Sequence, residues 1–337
     1  MKVAILSSIA WSTPPKKYGP WEQVASNVAE GLVEKGVDVT LFATRDSSTK
    51  GKLESVCEKP YAENPDMDVK VWECLHISNL TEQAHKFDII HNHFDFLPLS
   101  YSKLIDTPII TTIHGFSSPK IIPVYKKYND TSYYVSISNS DRSTELDYIA
   151  TVYNGINTGD FTYNSSPKDY LLYFGRIHPD KGTYEAIQIA KQSGKKLIIS
   201  GLIQDKNYFN TKVKSFINDK DIIYVGNSGP AKRNKLLGEA AALLHPICFD
   251  EPFGLSVAEA MLCGTPVIAF NRGSMPELIK DKETGFLVSS IDEATENIKN
   301  IPSISRKKCR TLALSKFTKE KMTSDYLKLY KKILNIK

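Results

Sequence analysis

Short apolar, β-branched runs alternate with longer amphipathic stretches from one end of the chain to the other. Alternation of this kind is the mark of parallel strands joined by crossover helices. In the first half the runs at 3–6, 37–43, 89–92, 109–113, 133–137 and 149–152 predict strands. Pro20 near the start of the first amphipathic stretch and Gly36 just past its end mark a helix, since proline's missing N–H costs nothing there and glycine suits the cap. A break follows at Asn154-Gly155 and continues through the polar stretch Asn164-Ser165-Ser166-Pro167. Strand signals then restart at 170–174, 196–200, 222–225, 242–245 and 266–270. From Ile291 onward the pattern is helical, and segment 319–334 places Met322, Tyr326, Leu329, Tyr330 and Ile333 near one face. The expectation is an α/β chain of two doubly wound parallel sheets facing a central cleft. Its domains would be 1–158 and 165–315, with 316–337 a helix that crosses back to the first domain.

Composition fits this picture. A chain of 337 residues exceeds one ordinary core and suits two domains of roughly 150 residues. Hydrophobic content of 41% and charged content of 24% are those of a globular chain. The opening apolar run at 3–6 is too short for a signal-peptide core, and no stretch approaches the roughly 18 apolar residues of a membrane span. Five cysteines (Cys57, Cys74, Cys248, Cys263, Cys309), an odd number without a CxxC pair, argue against a disulfide framework or a zinc knuckle. A cytoplasmic setting is expected, with peripheral contact at the inner face of the membrane left open by the Lys16-Lys17 and Lys126-Lys127 clusters. The net charge of +5 comes from interspersed bases with no run of five, so no nucleic-acid partner is expected.

In open parallel sheets, ligands bind beyond the carboxyl ends of the strands. The strongest signal there is Glu251-Pro-Phe-Gly-Leu-Ser-Val-Ala-Glu259, which follows a strand and opens a helix with two carboxylates eight positions apart. The helix start offers unpaired N–H groups to a phosphate, and a carboxylate can take two hydrogen bonds from a sugar diol. Two other readings stand beside this one: Ser256 to Glu259 as an S-x-x-E capping box, and the two glutamates as the acid and base of a glycoside hydrolase. The second signal, Gly175-Arg176-Ile-His-Pro-Asp-Lys181-Gly182, puts two cations after the first strand of the second half. Arg176 and Lys181 could stabilise the charge that grows on a leaving phosphate, or Lys181 could simply pair with Glu185 on the next helix. Thr111-Thr112-Ile113-His114-Gly115 ends a strand with a histidine, and His91-Asn92-His93-Phe94-Asp95 ends another. No HExxH-type spacing points to a metal. Tyr18-Gly19-Pro20-Trp21-Glu22 brings a glycine and a helix start to the end of the first strand, as a ligand loop or as plain loop closure.

Together these residues resemble the retaining glycosyltransferases of family 4, which have the GT-B fold of two Rossmann-like domains. The likeness spans nearly the whole chain. GRIHPDKG resembles the family's donor motif, and Glu251 to Glu259 its E-x7-E motif; Gly264-Thr265-Pro266-Val267, Gly273-Ser274-Met275-Pro276-Glu277, Tyr153-Asn154-Gly155-Ile156 and His114-Gly115 follow suit. The resemblance implies that Arg176 and Lys181 hold a donor diphosphate, Glu259 the ribose and Glu251 the transferred sugar. Phe253, Gly254, Leu255 and Ser256 would complete the grip, with Gly19 also on the donor. It implies His114 near the reacting centre and Glu22, on the acceptor side, as the family's first-helix acid; His93, by its place at a strand end, could add a polar group to that side. Neither a protein nucleophile nor a divalent metal or other cofactor is implied. Gly19-Pro20 departs from the consecutive glycines of many members, and proline has no N–H to offer a phosphate. The implied partners are a nucleotide-sugar donor and a glycan, glycolipid or small-molecule acceptor. A nucleotide-sugar epimerase or a noncatalytic nucleotide-sugar-binding protein would share the same frame. A dehydrogenase is disfavoured because no G-x-G-x-x-G follows the first strand.

Overall fold

The computed structural model describes residues 1–115 and 119–336; Lys337, the last residue of the expected terminal helix, lies outside them. The chain opens with β1 (Lys2–Leu6), α1 (Pro20–Glu34), β2 (Asp38–Phe42), β3 (Lys52–Glu54), α2 (Val69–Glu82), β4 (Ile89–Asn92) and β5 (Ile109–Ile113). It continues through α3 (Ile122–Lys127), β6 (Ser132–Ser136) and β7 (Tyr148–Thr151). The second set is β8 (Leu171–Phe174), α4 (Thr183–Ser193), β9 (Leu197–Ser200), α5 (Lys206–Tyr208), β10 (Ile222–Tyr224), α6 (Pro230–Glu239) and β11 (Ala242–His245). After it come α7 (Leu255–Leu262), β12 (Val267–Phe270), α8 (Met275–Leu278), β13 (Gly285–Val288), α9 (Ile291–Ile298), α10 (Arg306–Lys316) and α11 (Lys319–Ile333).

Two compact units result. One holds residues 1–155 and the C-terminal segment from Lys319; the other holds Ile156–Thr318. The first contains a seven-stranded sheet of order β3-β2-β1-β4-β5-β6-β7, the second a six-stranded sheet of order β10-β9-β8-β11-β12-β13. Every pairing in both sheets is parallel. Strands covered on both faces need apolar residues at every position, not at alternate ones. Accordingly Val3, Ala4, Ile5 and Leu6 of β1 are all fully buried, as are Ala242 and Leu243 of β11. Each sheet reverses its strand order once, between β1 and β4 in the first unit and between β8 and β11 in the second. The connections on either side of such a switch point diverge and leave a crevice beyond the strand ends.

Most strand bounds lie within a residue of the sequence expectation, but β3 and β13 were not anticipated. Both are edge strands of their sheets. The continuous apolar run of the inner strands is absent from β3: Lys52, Leu53 and Glu54 are exposed, half-buried and exposed.

Candidate functional site

In the second unit the site grows from the β8/β11 switch point. These strands are hydrogen-bonded neighbours, with Leu171, Leu172 and Tyr173 opposite Ala242, Leu243 and Leu244, so the loops leaving their ends emerge side by side. After β8 the chain makes a short 3-10 turn over Pro179–Lys181 and enters α4 through Gly182. Gly182 has φ +70°, and a Cβ there would sit 1.8 Å from the Pro246 carbonyl oxygen in the loop after β11. Only glycine lets the two loops touch in this way. The Cys248 amide then donates to the Asp180 carbonyl at 2.7 Å, which ties them together.

This closure brings Lys181 against Glu251, two residues 70 positions apart, in a buried salt bridge. The Lys181 ammonium also lies 4.5 Å from the centroid of the Phe249 ring. His245, the last residue of β11, places Nε2 3.7 Å from the same Glu251 oxygen. Burial by itself would raise the Glu251 carboxyl, but Lys181 and His245 outweigh it and hold the value down at about 2. Glu251 is therefore a carboxylate at neutral pH. It can accept hydrogen bonds but cannot supply the proton that the acid of a glycoside hydrolase must give.

Past Glu251 the backbone is fixed from the side: the Ser274 hydroxyl donates to the Phe253 carbonyl at 2.6 Å and the Ser274 amide to the Glu251 carbonyl at 2.9 Å. Gly254, at φ +91°, is the N-cap of α7. The S-x-x-E capping box is thus overturned, because Ser256 is already the second residue inside the helix. The first N–H groups of α7, at Leu255 and Ser256, precede the helical ladder and have no partner within the helix. Glu259, the fifth residue of α7, is buried. Its Oε1 pairs with Arg233 Nη1 of α6 at 3.2 Å. Burial pushes the Glu259 carboxyl up against the pull of that guanidinium. Arg176, just past β8, donates to the Gln204 side chain, while the Tyr173 hydroxyl donates to the Arg176 carbonyl at 2.7 Å. The expected alternative for Lys181, a pair with Glu185, is not formed; Glu251 takes that place.

In the first unit, β4 and β5 end beside one another and deliver His93 and His114. His93 Nδ1 and His114 Nε2 share a 2.8 Å hydrogen bond, and Trp21 stacks on His114 with ring centroids 5.9 Å apart. Burial lowers all three histidines of the region, His91 and His93 well below the ordinary range and His114 to about 3, so each is a neutral imidazole at physiological pH. Gly19 is the N-cap of α1 at φ 152°, where a Cβ would lie 2.7 Å from Pro15 Cβ. Glu22, in the first turn of α1, is buried, and burial lifts its carboxyl to about 7 against hydrogen bonds from the Glu22 and Trp11 amides and from Ser8.

The second unit thus brings Lys181 and Glu251 together ahead of α7, with Arg176 just past the strand that precedes the Lys181 loop, while Glu259 lies further along α7 against Arg233. The first unit gathers His93 and His114, with Glu22 and Gly19 at the head of α1. Arg233 and His245 were not singled out from the sequence. His245 ends an apolar strand, a position where polar residues carry weight. Arg233 is one base among Lys232, Arg233 and Lys235 on a polar helix, and only tertiary packing distinguishes it. Among the described residues no group of three or more His, Cys, Asp or Glu is arranged to hold a metal ion, and no helix is long and apolar enough to cross a membrane.

Two all-parallel units with polar residues collected beyond both switch points define the GT-B class of glycosyltransferase fold. The family model for Glycosyltransferase Family 4 matches residues 21–160, and that for Glycosyl transferases group 1 matches residues 160–316. The chain belongs to this glycosyltransferase family. Among its relatives are a glycogen synthase of Mycobacterium tuberculosis, 22% identical over 94% of this chain and 90% of that protein, and a D-inositol 3-phosphate glycosyltransferase of Paenarthrobacter aurescens, 24% identical over 77% and 78%. In fold it matches a sucrose-phosphate synthase from Thermosynechococcus elongatus (TM-score 0.82, 17% identity, 99% of both chains). It also matches the Anabaena protein Alr3699/HepE solved with UDP and glucose (TM-score 0.75, 18% identity, 98% and 99% of the chains).

Proposed function

We propose that this glycosyltransferase moves a sugar from a nucleoside diphosphate sugar, UDP- or GDP-linked, to an acceptor hydroxyl with retention at the anomeric carbon and without a divalent metal. The observation that carries the reading is the Lys181–Glu251 pair beside the start of α7: one fixed cation, one fixed carboxylate and a row of unpaired N–H groups in a single loop cluster. Lys181 and Arg176 meet the donor diphosphate, whose charge grows as the bond from its oxygen to the anomeric carbon breaks. Leu255 and Ser256, entered through Phe253 and Gly254, offer N–H groups to the same phosphates. Glu251 accepts from hydroxyls of the transferred sugar and Glu259 from the ribose diol.

The acceptor oxygen bonds to the anomeric carbon while its proton passes to the departing phosphate, which leaves as a nucleoside diphosphate. His114, being neutral, acts in this scheme through a hydrogen bond to the sugar or acceptor, not as a cation. His93 and Glu22 serve the acceptor side, and Gly19 the donor. The acceptor is a glycan, a glycolipid or a small molecule, in polysaccharide, glycolipid or cell-envelope glycan synthesis. The setting is the cytoplasm, with or without contact at the inner membrane face. Support for the donor comes from the likeness to the Anabaena structure, whose bound ligands are UDP and glucose.

The test is nucleotide release from UDP- and GDP-sugars, with and without acceptor, in excess EDTA, followed by NMR of the product's anomeric carbon. The proposal expects acceptor-dependent release of the diphosphate, an unchanged anomeric configuration and indifference to EDTA. Conversion of the sugar without acceptor would establish an epimerase instead. Binding with no consumption would leave a nucleotide-sugar-binding protein, and an inverted product or abolition by EDTA would refute the mechanism.

A further inference from the structure

The C-terminal helix α11 carries two buried tyrosines that the scheme above does not use. Met322, Tyr326 and Tyr330 follow at intervals of four, so they share one face of the helix, and all three are buried. The Tyr330 hydroxyl lies 2.6 Å from His91 Nδ1, and the Tyr326 hydroxyl 2.6 Å from Thr112 Oγ1. Thr112 Oγ1 is in turn 2.7 Å from His91 Nε2. Both ring nitrogens of His91 are therefore engaged, which fixes its plane as well as its position. A neutral imidazole carries one N–H. If Tyr330 donates to Nδ1, then Nε2 bears the hydrogen and gives it to Thr112, whose oxygen can also accept from Tyr326. That arrangement satisfies both buried phenols, whereas the opposite tautomer leaves the Tyr330 hydrogen without an acceptor among the described residues.

His91 does not face a ligand directly. Its ring lies against His93, with centroids 4.0 Å apart, and His93 holds His114 through the 2.8 Å hydrogen bond. The outer nitrogens of that pair, His93 Nε2 and His114 Nδ1, are buried and have no partner among the described residues. Because one histidine donates to the other, the pair presents one donor and one acceptor whichever way the shared hydrogen points. Each outer nitrogen can therefore meet one hydroxyl of a ligand, one nitrogen donating to it and the other accepting from it.

We infer that Tyr326 and Tyr330 are positioning residues: through Thr112 and His91 they hold the His93–His114 pair in the orientation that receives a hydroxyl of the sugar or acceptor. The inference rests on the proposed transfer for its consequence in turnover, but not for its consequence in histidine geometry. Tyr326→Phe and Tyr330→Phe each remove one oxygen and keep the ring, and Thr112→Val can be compared with Thr112→Ser, which retains the hydroxyl. Side-chain 15N spectra of histidine-labelled protein should assign the Nε2–H tautomer to His91 and show its signals, and those of His93 and His114, displaced in Tyr330→Phe and Thr112→Val but not in Thr112→Ser. With the nucleotide sugar that the protein consumes, kcat should fall on the order of tenfold or more while KM for the donor stays within about twofold, since a small misplacement of reacting groups is costly. Unchanged histidine spectra in Tyr330→Phe would overturn the inference whether or not the protein transfers sugar. Displaced spectra with wild-type kcat would overturn the positioning role. Absence of turnover in the wild type would count against the proposed function alone, with the spectra still deciding the geometry.

Discussion

Replacing Glu251 by Gln removes a charge and keeps the shape, so it isolates what the Lys181–Glu251 pair contributes. The Glu251 carboxyl is held at about 2 where 4.5 is ordinary, a difference worth ~3 kcal/mol at neutral pH. Its side chain is only 11% exposed and that of Lys181 15%, so water screens little of this. The substitution also strands a buried ammonium, and breaking one side of such a pair typically costs about 3–5 kcal/mol. Urea unfolding at pH 7 should therefore show Glu251→Gln less stable by ~3 kcal/mol with an unchanged m-value, a large share of the roughly 5–15 kcal/mol a domain commands. Lys181→Met combined with Glu251→Gln should recover part of the loss. The pH dependence has a definite sign. The folded value lies below the unfolded one, so the contribution is full above about pH 4.5 and disappears as pH falls toward 2. A loss under about 1 kcal/mol at pH 7, or one that persists unchanged at pH 3, would refute the reasoning. Loss of activity in Glu251 variants must therefore be measured below their unfolding midpoints.

Glu22 should behave in the opposite sense. Its folded value of about 7 exceeds the ordinary 4.5, so its contribution is full below pH 4.5 and is lost as pH rises through 7. Glu22→Gln should match the wild type at pH 5 to within about 1 kcal/mol and exceed it at pH 8.5 by up to ~3 kcal/mol in urea titrations; equal effects at both values would contradict burial as the cause. Gly182→Ala should destabilise by more than about 2 kcal/mol, since the left-handed conformation alone costs roughly 1–2 kcal/mol and the new Cβ meets backbone. A neutral Gly182→Ala in the same assay would mean that the loops after β8 and β11 do not need their close approach.

Much of this architecture was legible because buried parallel strands are nearly continuous apolar runs. The runs 3–6, 242–244 and 267–270 announce themselves in that way, each followed directly by a polar residue. The edge strands were not legible for the converse reason. Lys52–Glu54 has one half-buried side chain in a span too short for a period to show, and Gly285–Val288 is a short run opened by a glycine that reads as a turn. The site residues could be named, but not their partners. Lys181 and Glu251 meet only because β8 and β11 are neighbours and Gly182 permits contact, which is a property of the sheet order and not of either motif. For Glu259 the local sequence even pointed elsewhere: S-x-x-E suggests a cap, yet the positive φ of Gly254 starts the helix two residues sooner. The link from Tyr326 and Tyr330 to His91 joins positions more than 200 residues apart, and periodicity marked those tyrosines only as a buried face.

The claim that nucleotide sugar is bound by the second unit is tested most directly by thermal unfolding with UDP-, GDP-, ADP- and TDP-sugars in EDTA, for the wild type and for Glu259→Gln and Arg233→Gln. A ligand that binds only the native state raises the apparent midpoint, by about 2.7 kcal/mol of stabilisation at one hundred times Kd. The account predicts a shift selective for one base, UDP or GDP, that is strongly reduced in both variants. No shift with any nucleotide sugar at millimolar concentration, or a shift that survives both substitutions unchanged, would contradict it.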